Sequence, residues 1–320
     1  MPIVDMPLEE LRTYKGLNPR PKDMDAYWDA ALEEMRATEP NVELVASAFQ
    51  ATPLAECFDM YFTGVRGARI HAKYLRPAKA KKRHAAVLQF HGYSGNSGDW
   101  CDKLNYVGMG YSVAAMDCRG QGGSSEDVGG VKGTTYKGHI VRGLDDSPEN
   151  LLFRDIFLDT AQLARAVMDM EEVDEKRVGA MGGSQGGALT LACAALEPRI
   201  KRAAPVFPFL CDYKRVWEMD LAKGPYEELA TFFRQFDPRH EREEEVWRRL
   251  GYIDVQHLAG RIKGEVLMGV GLMDEICPPS TQFAAYNKIK SRKEMVIYPD
   301  YGHEGLPGFQ DITFEFMAGL

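Results

Sequence analysis

Short apolar runs and longer amphipathic runs alternate along most of the chain. Residues 85–90, 112–116, 178–181, 202–206, 264–270 and 294–298 are strand-length and almost continuously apolar. Between and after them lie helical patterns at 100–107, 151–170, 188–195, 281–289 and 309–317. The 151–170 stretch has the clearest stripe, through Phe157, Ala161, Leu163, Ala164 and Val167. A strand that is apolar at every position is buried on both faces, and strands alternating with helices form βαβ units. The pattern therefore predicts an α/β fold, a mostly parallel sheet with helices on both faces.

The two ends of this pattern differ from its middle. Residues 1–22 are Pro-rich and aperiodic, and are expected to form a surface arm. Residues 23–35 read as a helix capped by Asp23 or Asp25, with Trp28, Leu32 and Met35 on one face. Together these make residues 1–50 an N-terminal arm and helix. Residues 58–63 and 69–75 flank Gly64-Val-Arg-Gly67, a β-hairpin signal. Residues 209–257 break the alternation with charges and aromatics such as Tyr213, Trp217, Tyr226 and Trp247. They are expected to be a helical insertion over the carboxyl edge of the sheet, forming a cap. Residues 1–320 are read as a single domain.

Composition narrows the function. An apolar content of 45% supports a sizeable core, and a net charge of −8 argues against nucleic acid as the main partner. The one dense basic run, Lys79-Ala-Lys-Lys-Arg83, falls between two strands and reads as an exposed loop. Residues 1–5 lack the basic and apolar regions of a secretory leader, and no run reaches the roughly 18 apolar residues of a membrane span. Six cysteines without a C-x-x-C pair are read as buried free thiols of a cytoplasmic protein.

The chemistry centres on Gly182-Gly-Ser-Gln-Gly186, between a strand and a small-residue helix. It matches the G-x-S-x-G nucleophile elbow of α/β-hydrolases. Ser184 at the tip needs strained backbone, and glycines on either side allow close packing. The helix after it aims free N–H groups at the place where an oxyanion forms. In this fold the acid and the histidine follow the nucleophile, each on a loop after a strand. Asp274 and His303 occupy those two places in that order, with Asp300 as a weaker rival acid. The oxyanion donors are expected to be the backbone N–H of Gln185 and of Tyr93, the latter in the loop after the 85–90 strand. His91 is read as structural. No H-E-x-x-H, Walker or G-x-G-x-x-G motif is present, so neither a metal nor a cofactor is implied.

With these residues placed, the sequence resembles the acetyl xylan esterase / cephalosporin C deacetylase family of carbohydrate esterases over nearly its whole length. Arg119-Gly-Gln121, Gly182-Gly-Ser-Gln-Gly186 and His303-Glu304 carry the resemblance. So do Phe90-His-Gly-Tyr93, Ser97-Gly-Asp-Trp100 and the stretch from Gly271 to Ser280. It implies a cofactor-free serine esterase removing O-acetyl groups from short xylo-oligosaccharides and cephalosporin C-type substrates. It also implies a cytoplasmic homo-hexamer, a trimer of dimers. Arg119, Gln121 and Glu304 would support the site, Arg119 either through a buried ion pair that holds its loop or through a surface salt bridge. One stretch departs from the family: Leu151-Leu-Phe153 stands before Arg154 where the family carries tyrosines. The runner-up reading is an oligopeptidase-like serine hydrolase of small peptides, although no propeller domain precedes the hydrolase. A third is a catalytically silent hydrolase fold used for binding.

Overall fold

The apolar runs of the chain lie side by side. The computed structural model describes residues 4–49, 52–128, 130 and 138–320. Among these, nine strands form one sheet. They are β1 (Glu43–Ala46), β2 (Ala55–Thr63), β3 (Arg69–Pro77), β4 (His84–Phe90), β5 (Ser112–Met116), β6 (Val173–Gly183), β7 (Arg202–Val206), β8 (Glu265–Gly271) and β9 (Lys293–Tyr298). Their order is β1-β2-β3-β5-β4-β6-β7-β8-β9. From β5 to β9 every pairing is parallel, and β1, β2 and β3 extend the sheet with antiparallel pairings. The first three residues of the predicted arm, and residues 131–137 of the loop after β5, lie outside the described residues.

The helices are α1 (Leu8–Leu11), α2 (Met24–Ala37), α3 (Leu104–Gly108), α4 (Leu152–Met168), α5 (Gln185–Leu196), α6 (Tyr213–Glu218), α7 (Glu227–Phe236), α8 (Glu243–Leu250), α9 (Pro279–Lys288) and α10 (Phe309–Ala318). Strand alternation divides the apolar side chains between two cores. On β4, Ala86, Leu88 and Phe90 enter the larger core with α2, α4 and α5. Ala85 and Val87 point the other way, into a smaller core with Tyr106, Val107 and Met317. Both faces of the sheet are thus covered, which is why its strands read as continuous apolar runs. This is the α/β-hydrolase fold.

Three details differ from the sequence pattern. β1 gave no signal because all four of its residues are exposed; it pairs with β2 through the main chain, and Glu43 also accepts from Arg69 at the start of β3, 2.5 Å away. α4 is buried almost all round, including Arg154, Asp155 and Asp159, since α2 packs over its outer side with Trp28 stacked 6.0 Å from Phe157. Asp23 sits at the start of α2 but makes no side-chain cap; its carboxylate accepts the Tyr252 hydroxyl instead. The 209–257 stretch forms α6, α7 and α8, with Phe209, Tyr213, Phe232 and Trp247 in the larger core. Leu151 and Phe153, where the resemblance led to an expectation of tyrosines, are fully buried in the same core.

Arg119, in the loop after β5, has no solvent exposure. Its Nε and Nη2 bond both oxygens of Asp159 at 2.7 and 2.6 Å, and Nη1 reaches Asp155 at 3.4 Å. Nη2 also donates to the Val65 carbonyl in the hairpin turn, at 3.2 Å. One guanidinium therefore ties the loop, α4 and the hairpin together. Of the two roles open for Arg119, the structure shows the buried pair. Breaking a buried pair by removing one partner strands the other charge. Arg119→Met is accordingly expected to cost about 3–5 kcal/mol of unfolding free energy. Urea unfolding measures this, and a loss below about 1 kcal/mol would contradict so central a tie.

Candidate active site

β6 ends in the Gly-rich turn and α5 starts at once after it. Ser184 sits between them at φ 57° and ψ −120°, backbone that a non-glycine residue occupies only when its surroundings force it. Three bonds hold it there. Its N–H donates to Val206 O at 3.0 Å, and its carbonyl accepts from Ala188 at 3.1 Å and Phe209 at 3.0 Å. The flanking glycines are required by contact. A Cβ on Gly182 would lie 2.5 Å from Phe90 O, and one on Gly186 would lie 2.1 Å from the same atom. The elbow rests directly on the carboxyl end of β4.

The three side chains singled out by sequence order meet here. Ser184 Oγ lies 3.0 Å from His303 Nε2, and His303 Nδ1 lies 2.9 Å from Asp274 Oδ2. Asp274 is fully buried and is held by the N–H groups of Ile276 at 2.9 Å and Cys277 at 2.7 Å, with the Gln282 amide at 3.3 Å. It follows β8, and the His303 loop follows β9, so adjacent parallel strands deliver both. Asp300 lies in the turn directly after β9 and is exposed. Glu304 is exposed too; its carboxylate accepts the Gly302 N–H at 3.1 Å and braces the histidine loop.

Cys277 packs into the same group, with its sulfur within 4.8 Å of the ligand atoms of Asp274 and His303. Burial, with help from Asp274, pushes this thiol well above its usual range, against the hydrogen bond it shares with Ser184. The cysteine therefore stays a neutral thiol.

The loop after β4 carries Tyr93. Gln121 explains how that loop is held. Its side-chain amide pairs reciprocally with that of buried Gln185, both bonds at 3.0 Å, and its oxygen also accepts the Ser94 N–H at 2.9 Å. The Arg119-Gly-Gln121 segment is thus anchored from beneath by Arg119. Through Gln121 it joins the Tyr93 loop to the first residue of α5. His91 accepts the Cys118 N–H at Nε2, 3.0 Å away, and its Nδ1 lies 2.7 Å from Gly92 O. Both ring nitrogens serve the loop, as a structural histidine's would.

Two supports had no local signature in the sequence, because their partners lie far apart along the chain. His71 bridges Asp117 at 2.7 Å and Asp59 at 3.0 Å. Burial acts to lower the His71 pKa, but its two carboxylate partners outweigh it and raise it. Asp117 also accepts the Ser97 N–H at 2.6 Å and the Ser124 N–H at 2.9 Å. Despite burial, His71 and these amides hold its carboxyl far below the usual range. Glu228 on α7 reaches across to the 138–141 segment, accepting the N–H groups of Ile140 at 2.7 Å and Val141 at 3.2 Å. That segment touches the site: the His139 N–H donates to the Tyr93 hydroxyl at 3.1 Å, and the His139 ring meets Ser94 Oγ at 3.2 Å.

The acetyl xylan esterase (AXE1) family matches residues 1–320. The chain belongs to that family. Acetyl xylan esterase 1 from Thermoanaerobacterium sp. JW/SL YS485 is similar to this family member at 64% identity, covering 98% of this chain and 99% of that one, with a TM-score of 0.97. An acetyl xylan esterase from Paenibacillus sp. R4 is 38% identical, over 98% and 99% of the two chains, with a TM-score of 0.93. Acetyl esterase Axe7A of Xylanibacter ruminicola (strain ATCC 19189 / DSM 19721 / CIP 105475 / JCM 8958 / 23) is 27% identical over 296 residues, which is 90% of this chain. The chain spans 65% of the length of that curated relative.

Burial pushes the Glu228 carboxyl up to about 7, against the N–H groups of His139, Val141 and Ile140. An ordinary glutamate ionises near 4.5. Between those values the unfolded chain has lost a proton that the folded chain still holds, so this group's contribution to stability falls as pH rises. Glu228→Gln, close in shape to the protonated acid, lacks that loss. Its stability relative to wild type is expected to rise by on the order of 2 kcal/mol from pH 5 to pH 8. Urea unfolding at the two pH values tests this, and a flat difference would contradict it.

Proposed function

We propose that this chain is a serine esterase that releases acetate from O-acetylated short xylo-oligosaccharides and from cephalosporin C-type acetates. Its family is one of carboxylic ester hydrolases, and the two solved relatives described above are acetyl xylan esterases. The observation that carries the reading is the chain of contacts from Ser184 Oγ through His303 to buried Asp274, at 3.0 and 2.9 Å.

Ser184 is the nucleophile in this reading. As its Oγ attacks the ester carbonyl, His303 Nε2 takes the proton, and Asp274 holds the imidazole tautomer and offsets the charge formed. The N–H of Gln185, a first-turn amide of α5 with no acceptor inside the helix, and that of Tyr93 receive the oxyanion. His303 then returns the proton to the departing sugar oxygen, leaving Ser184 acetylated. Water attacks the acetyl-enzyme with His303 again as base, and acetate leaves. Gln121, Arg119 and Glu304 act by positioning the two loops.

Aromatic side chains restrict the space around the serine. The Phe207 ring lies 4.5 Å from the His303 ring, and Phe209 packs 5.6 Å from Tyr93 and 4.2 Å from Tyr226. These walls favour a two-carbon acyl group. Turnover of p-nitrophenyl esters is therefore expected to fall at least tenfold from acetyl to butyryl. Ser184→Ala is expected to remove nearly all of it, on the order of a 10⁶-fold drop in kcat. Acetate release from acetylated xylo-oligosaccharide and cephalosporin C, assayed on both proteins, tests the reading; turnover that survives the substitution sinks it.

The assembly proposed is a cytoplasmic homo-hexamer. Among the described residues, no helix is long and apolar enough to cross a membrane. Apolar side chains stand exposed at Val42, Leu44 and Val45 along the β1 edge, where a second copy could cover them. Light scattering is expected to give six chain masses in solution, and a monomer mass at micromolar concentration would overturn this part.

A further inference from the structure

Asp274 needs an anchor that neither the elbow nor the Arg119 frame supplies. It sits in the loop between β8 and α9, and α9 reaches back to hold it. Gln282, fully buried on the first turn of that helix, donates to Asp274 Oδ2 at 3.3 Å and to the Cys277 carbonyl. The place of the acid therefore follows the place of that turn. The turn cannot cap itself. Its N-cap position is Pro278, whose ring carries no acceptor, and Pro279 after it has no N–H. The Thr281 and Gln282 N–H groups reach Pro278 O at 2.9 and 3.4 Å. The Ser280 N–H is the donor left over, with no acceptor inside the helix.

Its acceptor comes from the N-terminal arm. Asp5 Oδ2 takes the Ser280 N–H at 2.7 Å, across 275 positions of sequence. The Asp5 side chain is only 2% exposed, and its other oxygen pairs with Arg215 Nη2 at 2.7 Å. Arg215, on α6, also donates from Nε to Ser280 Oγ at 3.1 Å. A carboxylate at a helix N-terminus is favoured by the helix dipole as well as by the hydrogen bond. Arm, insertion and α9 thus close on one residue beside the Asp274 loop. The arm has a second hold on α9, at its far end. There the Asn287 amide donates to Leu11 O at 2.9 Å and to Tyr14 O at 2.8 Å.

We propose that Asp5 is a positioning residue for the reaction: by capping α9 from the arm it fixes Gln282, and through Gln282 the carboxylate of Asp274 against His303. The role rests on the serine esterase reading above and adds what holds its acid in place. Asp5 touches neither substrate nor reacting atoms, so it is not a catalytic residue. A purely stabilising role has different consequences. It would change the folded fraction and leave the pH dependence of the folded enzyme alone.

The test uses p-nitrophenyl acetate, with rates scaled to the folded fraction. Asp5→Ala removes the acceptor, Asp5→Leu removes it while keeping the place filled, and Asp5→Asn keeps an acceptor for Ser280. Asn287→Ala loosens the arm at the far end of α9 only. In the Ala and Leu variants kcat is expected to fall between about tenfold and 100-fold at unchanged KM, since a small misplacement of a catalytic group costs on that order. The acid limb of their kcat/KM profile is expected to move to lower pH, because an imidazolium that has lost its carboxylate gives up its proton more readily. Asp5→Asn is expected to recover most of kcat, and Asn287→Ala to match wild type in kcat and in acid limb. An acid limb that stays in place in both Ala and Leu variants overturns the proposal, whatever happens to kcat. An equal loss in Asn287→Ala overturns it too. The low-field proton signal of the His303 Nδ1–H bonded to Asp274 gives the same comparison without turnover. A signal present in wild type and Asp5→Asn but lost in Asp5→Ala supports the role of Asp5 even where no ester is hydrolysed. A signal unchanged in Asp5→Ala, with the wild type hydrolysing the ester, overturns that role and leaves the esterase reading standing.

Discussion

A guanidinium with no exposure to water needs partners for its donors, and Arg119 bonds two parts of the chain at once: two carboxylates of α4 and a carbonyl of the hairpin turn. A buried pair of this kind contributes little net stability against a well-packed apolar substitute. What it contributes is position, because the bidentate contact with Asp159 fixes the plane as well as the place of the Arg. Two residues on, Gln121 converts that fixed loop into a fixed site, bonding both the Tyr93 loop and Gln185. Loop, helix and hairpin cannot move apart without stranding a charge. In the proposed mechanism a rigid frame matters, because oxyanion donors act only when they are aimed before the charge develops.

The elbow depends on the same frame from the other side. Gly182 and Gly186 both press on the Phe90 carbonyl, so the nucleophile loop and the loop after β4 share one point of contact. The strained Ser184 backbone is held by Val206 and Phe209, from β7 and the loop beyond it. Three neighbouring strands therefore set one serine. β8 and β9 lie next in the sheet and bring Asp274 and His303. The order of strands explains why residues 184, 274 and 303 converge.

The layout of the sheet and these three side chains were legible in the sequence because both follow short-range rules. Strands buried on two faces read as apolar runs, and the G-x-S-x-G turn has a fixed local geometry. What was not legible depends on distance. β1 is held by backbone pairing with no buried side chain, so no pattern of residues marks it. His71 with Asp117, and Glu228 with Ile140, join residues 46 and 88 positions apart, and no spacing encodes that. The burial of Leu151 and Phe153 is a matter of the core around α4, which only the packed helices reveal. Arg119 lay between these cases: the motif was visible, while the choice between a buried and a surface pair needed the position of α4.

The two carboxylates that brace the loops around the serine show opposite electrostatic solutions. Asp117 is saturated: His71 and the Ser97 and Ser124 amides bond one or other oxygen, and its pKa is held far down. Its carboxylate stays ionised well into the acid range. Among the described residues Glu228 is only half satisfied, with one oxygen buried and unpaired, and burial raises its pKa to about 7. Keeping this carboxyl buried between α7 and the His139 segment therefore costs most once it ionises, near and above pH 7. That segment touches the Tyr93 ring and hydroxyl, while Asp117 and Gln121 hold the Tyr93 loop itself. A change at Glu228 can thus shift the wall of the pocket while the proposed oxyanion donors stay in place. In the proposed mechanism, substrate fit and transition-state stabilisation therefore rest on separate anchors.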